Sequence, residues 1–219
     1  MIEQPNFAQE GTPLVIVGTD ADARLALDIA NAQDVIVYGF MSDNEEDMLK
    51  DLNDVSVVMR VDTPDGKKFL DNERPDMIVA DRDIARRKDL LRKVNQRKAK
   101  QVNLAHPDVI ISPYTKIGIG NLFGPQTVIF SNSQIGNHNS FQGQILIDSD
   151  TLIADFCTIQ SGVKIGRNVT IEEDVFVGMG AIIFAGVKVG KGAYIAPGAV
   201  VLQSVKEKDK MVGNPAKPI

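Results

Sequence analysis

An apolar residue returns every sixth position from Ile111 to Val201 without a slip: Ile111, Ile117, Phe123, Ile129, Ile135, Phe141, Ile147, Ile153, Ile159, Ile165, Ile171, Val177, Ile183, Val189, Ile195 and Val201. All sixteen positions hold Ile, Val or Phe. Six of the hexads place Gly directly after the key residue, at Gly118, Gly124, Gly136, Gly166, Gly178 and Gly190. The fourth position after it is mostly small or β-branched, as at Thr127, Ser133, Thr151, Cys157, Val163 and Ala181. A period of six fits neither the 3.6 of a helix nor the 2 of a free strand. It does fit short strands that each turn two residues inward and then bend. Three such strands close one 18-residue coil of a triangular prism, so the repeat predicts an all-β parallel helix of about five coils. Cys157 occupies a small inward position, which makes it a packing residue rather than a reactive thiol.

Before residue 106 the pattern is of another kind. Leu14 to Val17 is a short buried strand ending at Gly18, and Leu25, Ala26, Ile29 and Ala30 then recur at helical spacing. Val35 to Phe40, Val55 to Met59 and Met77 to Ala80 read as further strands, and Asp83 to Lys100 as a helix with Ile84, Leu91 and Val94 on one face. Strand and helix in alternation predict a small α/β, Rossmann-like parallel sheet over residues 1–105, followed by the β-helix over residues 106–219. The helix carries Arg86, Arg87, Lys88, Arg92, Lys93 and Arg97. Without interleaved aromatics this reads as a solvated face, with a phosphate-binding face as the alternative. Asp20 stands where an N-cap belongs.

Composition narrows the function. The net charge is −5, with Lys+Arg 24 against Asp+Glu 29, which argues against a chain that coats nucleic acid. A single Cys and two His provide neither an intrachain disulfide nor a zinc ligand set, so no metal is expected. The first residues lack a signal-peptide pattern, and no apolar run is long enough to span a bilayer. A cytoplasmic location is the expectation.

Two further segments carry a family resemblance: Gly39-Phe40-Met41-Ser42-Asp43-Asn44 after the second strand, in the pattern Gly-Phe-x-Asp-Asp, and the ending Gly213-Asn214-Pro215-Ala216-Lys217. With His106-Pro107 opening the hexads, the chain resembles the hexapeptide-repeat acyltransferases of the sialic acid O-acetyltransferase and bacillosamine or perosamine N-acetyltransferase family. The resemblance implies a left-handed β-helix that forms a homotrimer, with acetyl-CoA as acyl donor in a groove between neighbouring helices. It implies as acceptor an amino sugar or sugar acid, free or nucleotide-linked, in surface-glycan biosynthesis. By position it assigns Thr158, Gly178, Met179, Gly180, Pro197 and Lys217 to the donor, and Gly18, Thr19, Asp20 and Asp43 to the acceptor.

Three positions depart from the family pattern. Where the family has its base, His, in Ile-Asp-His-Asp, this chain has Ile147-Asp148-Ser149-Asp150. A second His that contacts the donor is Thr158. The family's Gly-x-Gly-Gly-His phosphate loop is Gly18-Thr19-Asp20-Ala21-Asp22, with two glycines lost and two carboxylates gained. A Ser hydroxyl does not accept a proton near neutral pH as a His does. Asp150 or Asp148, assisted by Ser149, is therefore the candidate base, and a pair of exposed turn carboxylates is the plainer reading of both. His138 lies eleven residues before Ser149, at another corner of the prism, and reads as a surface turn residue that could meet Ser149 only from a neighbouring subunit. Three readings follow: an acetyl-CoA-dependent sugar acyltransferase, a trimeric binding or regulatory homologue that has lost its base, or a transferase on a substrate without a nucleotide, which accounts for the loop Thr19 to Asp22 but not for Ser149.

Overall fold

The computed structural model describes residues 6–8, 11–73, 75–95, 97 and 99–219. By internal contacts the chain divides into two units that meet between Pro107 and Asp108.

The first unit is a six-stranded sheet, all parallel except at one edge. Its strands are β1 (Leu14–Val17), β2 (Val37–Ser42), β3 (Asp51–Leu52), β4 (Val55–Arg60), β5 (Asp76–Val79) and β6 (Lys100–Gln101), in the order β3-β4-β2-β1-β5-β6. Only β3 runs antiparallel to its neighbour. β1 and β5 are buried at every position, which is why they read as continuous apolar runs. The second strand begins two residues later than Val35 and runs on through Ser42, because Gly39 to Met41 pair with β1.

Helix α1 (Ala21–Ala32) starts at Asp20, whose carboxylate accepts the N–H groups of Asp22 and Ala23, so the expected N-cap is observed. Helix α2 (Pro64–Asn72) was not legible in the sequence. Its sequence is charged, and only Gly66 and Leu70 are buried. Its start rests on the Thr63 cap and on Pro64 in the first turn. Helix α3 spans Ile84–Val94, shorter than the Asp83 to Lys100 that the charge run suggested. Asn95 ends it, and the chain turns so that Lys100 and Gln101 can pair with β5. Its buried face is Arg87, Leu90, Leu91 and Val94 rather than Ile84, Leu91 and Val94.

The second unit is the parallel β-helix that the hexads predicted, left-handed as the family resemblance implied. Its first wall stacks two-residue strands ending at Ile111, Ile129, Ile147, Ile165, Ile183 and Val201, and its second wall those ending at Ile117, Ile135, Ile153, Ile171 and Val189. The third wall stacks Phe123, Phe141, Ile159, Val177 and Ile195, and continues with Lys210–Val212, against which Lys217–Pro218 folds back antiparallel. Each step between the hexad strands is 18 residues, as in Val128↔Leu146 and Ile129↔Ile147, and the last step of the third wall is 16, Ile195↔Met211. The small inward positions fill the corners: Thr127, Ser133, Cys157, Val163 and Ala199 are fully buried.

At the corner between the second and third walls the inward position is polar in the first two coils, Asn121 and Asn139, and apolar from Cys157 on. Asn121 accepts the Asn139 N–H at 2.9 Å, and Asn139 accepts the Cys157 N–H at 2.7 Å, so the side chains satisfy the backbone where the chain bends. The third position after each key residue has positive φ from Gly120 to Gly198, and eight of these positions carry side chains, among them His138, Asp150 and Phe156. His138 is not the surface residue expected from its turn position. It is buried, with its ring stacked on Phe156 one coil away at 5.2 Å between centroids.

Candidate functional site

Three groups of predicted residues occupy three separate places. Asp148, Ser149 and Asp150 form the turn between the first and second walls. The Ser149 N–H donates to its neighbour's Asp148 Oδ1 at 2.7 Å, which fixes the turn. Asp150 is exposed in left-handed backbone, φ 61°, and its Oδ1 accepts from Asn132 Nδ2 at 3.2 Å. The Asp148 carboxylate therefore serves its own turn, while that of Asp150 is held upright by the coil above.

Gly178, Met179, Gly180 and Pro197 come together at the corner between the third and first walls. A Cβ at Gly178 would lie 2.5 Å from the Pro197 nitrogen, so this close coil-to-coil approach requires glycine. The Met179 N–H donates to Gln160 Oε1 at 3.1 Å, and the Met179 carbonyl accepts from the Gly198 N–H at 2.8 Å. Met179 itself is exposed. Gln160 had no sequence signal, because its role appears only when coils 18 residues apart are stacked. Thr158 lies on the third wall beside Ser140 and is fully buried. Lys217 lines a cavity of about 480 Å³ at the end of the β-helix, with Ser204, Lys206, Asp209 and Pro215 among its walls.

Gly18, Thr19, Asp20 and Asp43 converge at the carboxyl ends of β1 and β2. The sheet order reverses between β1 and β5, the place where open α/β sheets hold ligands. Here the polar groups are bonded to one another. The Thr19 hydroxyl donates to Asp47 at 3.0 Å, and so does that of Ser42 at 2.8 Å. These bonds, with Lys50, hold the Asp47 carboxyl below the usual range, against the opposing pull of burial. Asp43, whose side chain is 5% exposed, accepts from both Arg86 and Lys93. Arg82 pairs with the buried Asp22 at 3.4 Å, and Lys93 also pairs with Asp89.

The basic helix is thus neither a bare solvated face nor an open phosphate face, since Asp43, Asp81 and Asp89 lie against its cations. Arg87 is fully buried and donates to the Asp81 carbonyl. Burial first, then the nearby Asp20 charge, pushes the Asp81 carboxyl up to about 6. Among the described residues, no group of three or more His, Cys, Asp or Glu could hold a metal ion, and no helix is long and apolar enough to cross a membrane.

Fold and repeat together define a hexapeptide-repeat protein of the left-handed β-helix class with an α/β domain ahead of the coils. Residues 168–203 match the family model described as bacterial transferase hexapeptide (six repeats). No curated protein matches by sequence.

The fold is that of several solved acetyltransferases. A variant of perosamine N-acetyltransferase from Caulobacter crescentus, solved with CoA and GDP-perosamine, aligns with a TM-score of 0.87 at 24% identity, over 94% of this chain and 96% of that one. The acetyltransferase domain of PglB from Neisseria gonorrhoeae, solved with acetyl coenzyme A, aligns at 0.85 and 22%, over 95% and 99%. WeeI from Acinetobacter baumannii aligns at 0.81 and 22%, over 95% and 100%.

Proposed function

We propose that this chain is an acetyl-CoA-dependent acyltransferase acting on an amino sugar or sugar acid in glycan biosynthesis, working as a cytoplasmic homotrimer. The observation that carries the reading is the glycine corner, where Gly178, Met179 and Gly180 lie under Pro197 beside an exposed apolar wall. Its support is the match in fold to enzymes solved with CoA. That first wall is bordered by the Gly178 corner on one edge and the Ser149 corner on the other. Three copies packed about a threefold axis with this wall inward would bring the Ser149 corner of one copy toward the Gly178 corner of the next. The donor groove is then built from two subunits. Lys217 completes the donor assignment by reaching a CoA phosphate, whereas Thr158, fully buried, has no surface to offer the donor.

In the reaction the acceptor nitrogen or oxygen attacks the thioester carbonyl and the C–S bond breaks. The acceptor's proton passes to a carboxylate and then to the departing CoA thiolate. Asp150 is the carboxylate assigned this proton, because its head is exposed and held by Asn132, whereas Asp148 is engaged with its own turn. Ser149 orients the acceptor. Rigid coils supply the positioning that makes such a weak base sufficient.

The alternative, a trimer that binds but does not react, is favoured by one observation, Ser149 in the place of a basic side chain. Calorimetric titration with acetyl-CoA tests the acyltransferase reading, for which micromolar binding is the expected result, and no detectable heat at two temperatures would favour the non-catalytic trimer. Asp150→Asn should lower turnover by about two orders of magnitude or more while leaving acetyl-CoA affinity within twofold. An unchanged rate removes Asp150 from the mechanism. Donor binding without turnover on any free or nucleotide-linked sugar leaves the binding homologue.

A further inference from the structure

We infer that the acceptor carries no nucleoside diphosphate, because Asp20 fills the anion seat of the α/β unit with the chain's own carboxylate. The inference rests on the acyltransferase reading for the word acceptor, but the seat is a property of this unit by itself. Its place is set by topology: the loop after β1 leads directly into α1 at the reversal of strand order, where converging backbone N–H groups attract a phosphate. Those donors are taken. Asp20 Oδ1 accepts from the N–H groups of Asp22 at 2.9 Å and Ala23 at 3.2 Å, and Oδ2 accepts from the Arg82 N–H at 2.8 Å. One carboxylate thereby joins the start of α1 to the loop after β5, and presents its negative charge where a pyrophosphate would have to lie.

Three nearby cations are paired with carboxylates, while Arg24, in the first turn of α1, donates to the neutral Thr19 carbonyl at 3.5 Å. The Arg82 head group donates to Asp22, and Arg86 and Lys93 both donate to Asp43. A Cβ at Gly18 would stand 2.0 Å from the Ala80 carbonyl oxygen, so the ends of β1 and β5 are already in contact there. A bound diphosphate would have to displace Asp20 and break several ion pairs at once. An uncharged or carboxylate-bearing sugar without a nucleotide has no need of this seat.

The test is amide-resolved NMR of the full chain with GDP, UDP and inorganic pyrophosphate as separate titrants and acetyl-CoA as an independent one. In the natural sequence the amides of Asp22, Ala23 and Arg82 should stay unmoved by all three anions to millimolar concentration. Asp20→Ser keeps an N-cap oxygen, so α1 forms, but removes the charge. It should show saturable pyrophosphate shifts at those amides, with binding at least tenfold tighter than in the natural sequence. Saturable shifts by GDP or UDP in the natural sequence would overturn the inference, as would an Asp20→Ser protein that gains no pyrophosphate response. Failure of acetyl-CoA to move the amides of Met179 and Gly180 would count against the acyltransferase reading alone.

Discussion

Asp81 shows how one side chain can set the pH response of the α/β unit. It is buried at the end of β5, with Oδ1 accepting the Asp83 N–H at 2.9 Å and the Arg86 guanidinium 3.8 Å from Oδ2. Burial and the Asp20 charge outweigh these partners and raise the carboxyl from 3.8 to about 6. A folded-state value above the unfolded one means that the folded protein holds this proton more tightly. The stability it contributes is complete below about pH 4 and is lost as pH rises through 6. Asp81→Asn keeps the acceptor oxygen and removes the charge, so the variant should be the more stable protein at pH 7.5, with its advantage shrinking toward pH 4.5. Urea denaturation of both proteins at the two pH values measures this, and a constant difference would mean that Asp81 does not titrate in that range. The cap role of Asp20 was legible in the sequence because capping is local. The raised carboxyl of Asp81 was not, since it depends on which strands bury the residue and which loop carries its charged neighbour.

Helix α3 owes its place to charges that meet across the sheet more than to its apolar face. Its buried stripe is Arg87, Leu90, Leu91 and Val94, and its outer cations Arg86 and Lys93 close over the Asp43 carboxylate at the end of β2. Exposed ion pairs contribute little, but a nearly buried carboxylate shared by two cations contributes more. Asp43→Ala should leave Arg86 and Lys93 facing each other and destabilise the unit by about 1–3 kcal/mol. Hydrogen exchange would show faster opening of the α3 amides with the β-helix amides unchanged; equal protection in both proteins would show that the pair does not anchor the helix. Here the sequence misled by its own clarity. A dense run of Arg and Lys reads as solvated because the matching carboxylates, Asp43, Asp71 and Asp89, lie up to fifty residues away or within the same charged helix. Helix α2 escaped for the opposite reason: Gly66, Lys67 and Lys68 give it no apolar period, and it is specified by its Thr63 cap and by a glycine whose Cβ would lie 2.0 Å from the Arg60 carbonyl oxygen. The β-helix was legible in full because every hexad repeats the same two inward residues, and sixteen repetitions leave no competing period.

The hexad conceals one thing that only the closed prism displays, which is that the three walls differ on the outside. Outward residues of the second wall are Lys116, Gln134, Leu152, Thr170 and Lys188, mostly polar, whereas those on and just beyond the first wall include Ile110, Phe130, Ile182, Phe184 and Leu202. All five of the latter are exposed in the single chain, Phe184 to 59%. Apolar residues aligned along one face of a rigid rod are the kind of surface that the proposed threefold assembly would cover. Phe184 lies in the turn after the first-wall strand Ile182–Ile183, on the same corner as Asp148 but two coils further along, so a charge placed there tests assembly at the edge of this wall. Phe184→Glu buries three like charges near a threefold axis and should convert a trimer at micromolar concentration into monomer by light scattering. The circular dichroism of the coils should stay unchanged, because the side chain points away from the prism interior. If the donor groove is shared between copies, acetyl-CoA affinity should fall at least tenfold in the same variant. A variant that remains trimeric excludes this wall as the interface, and a monomer that binds acetyl-CoA undiminished places the whole donor site within one chain.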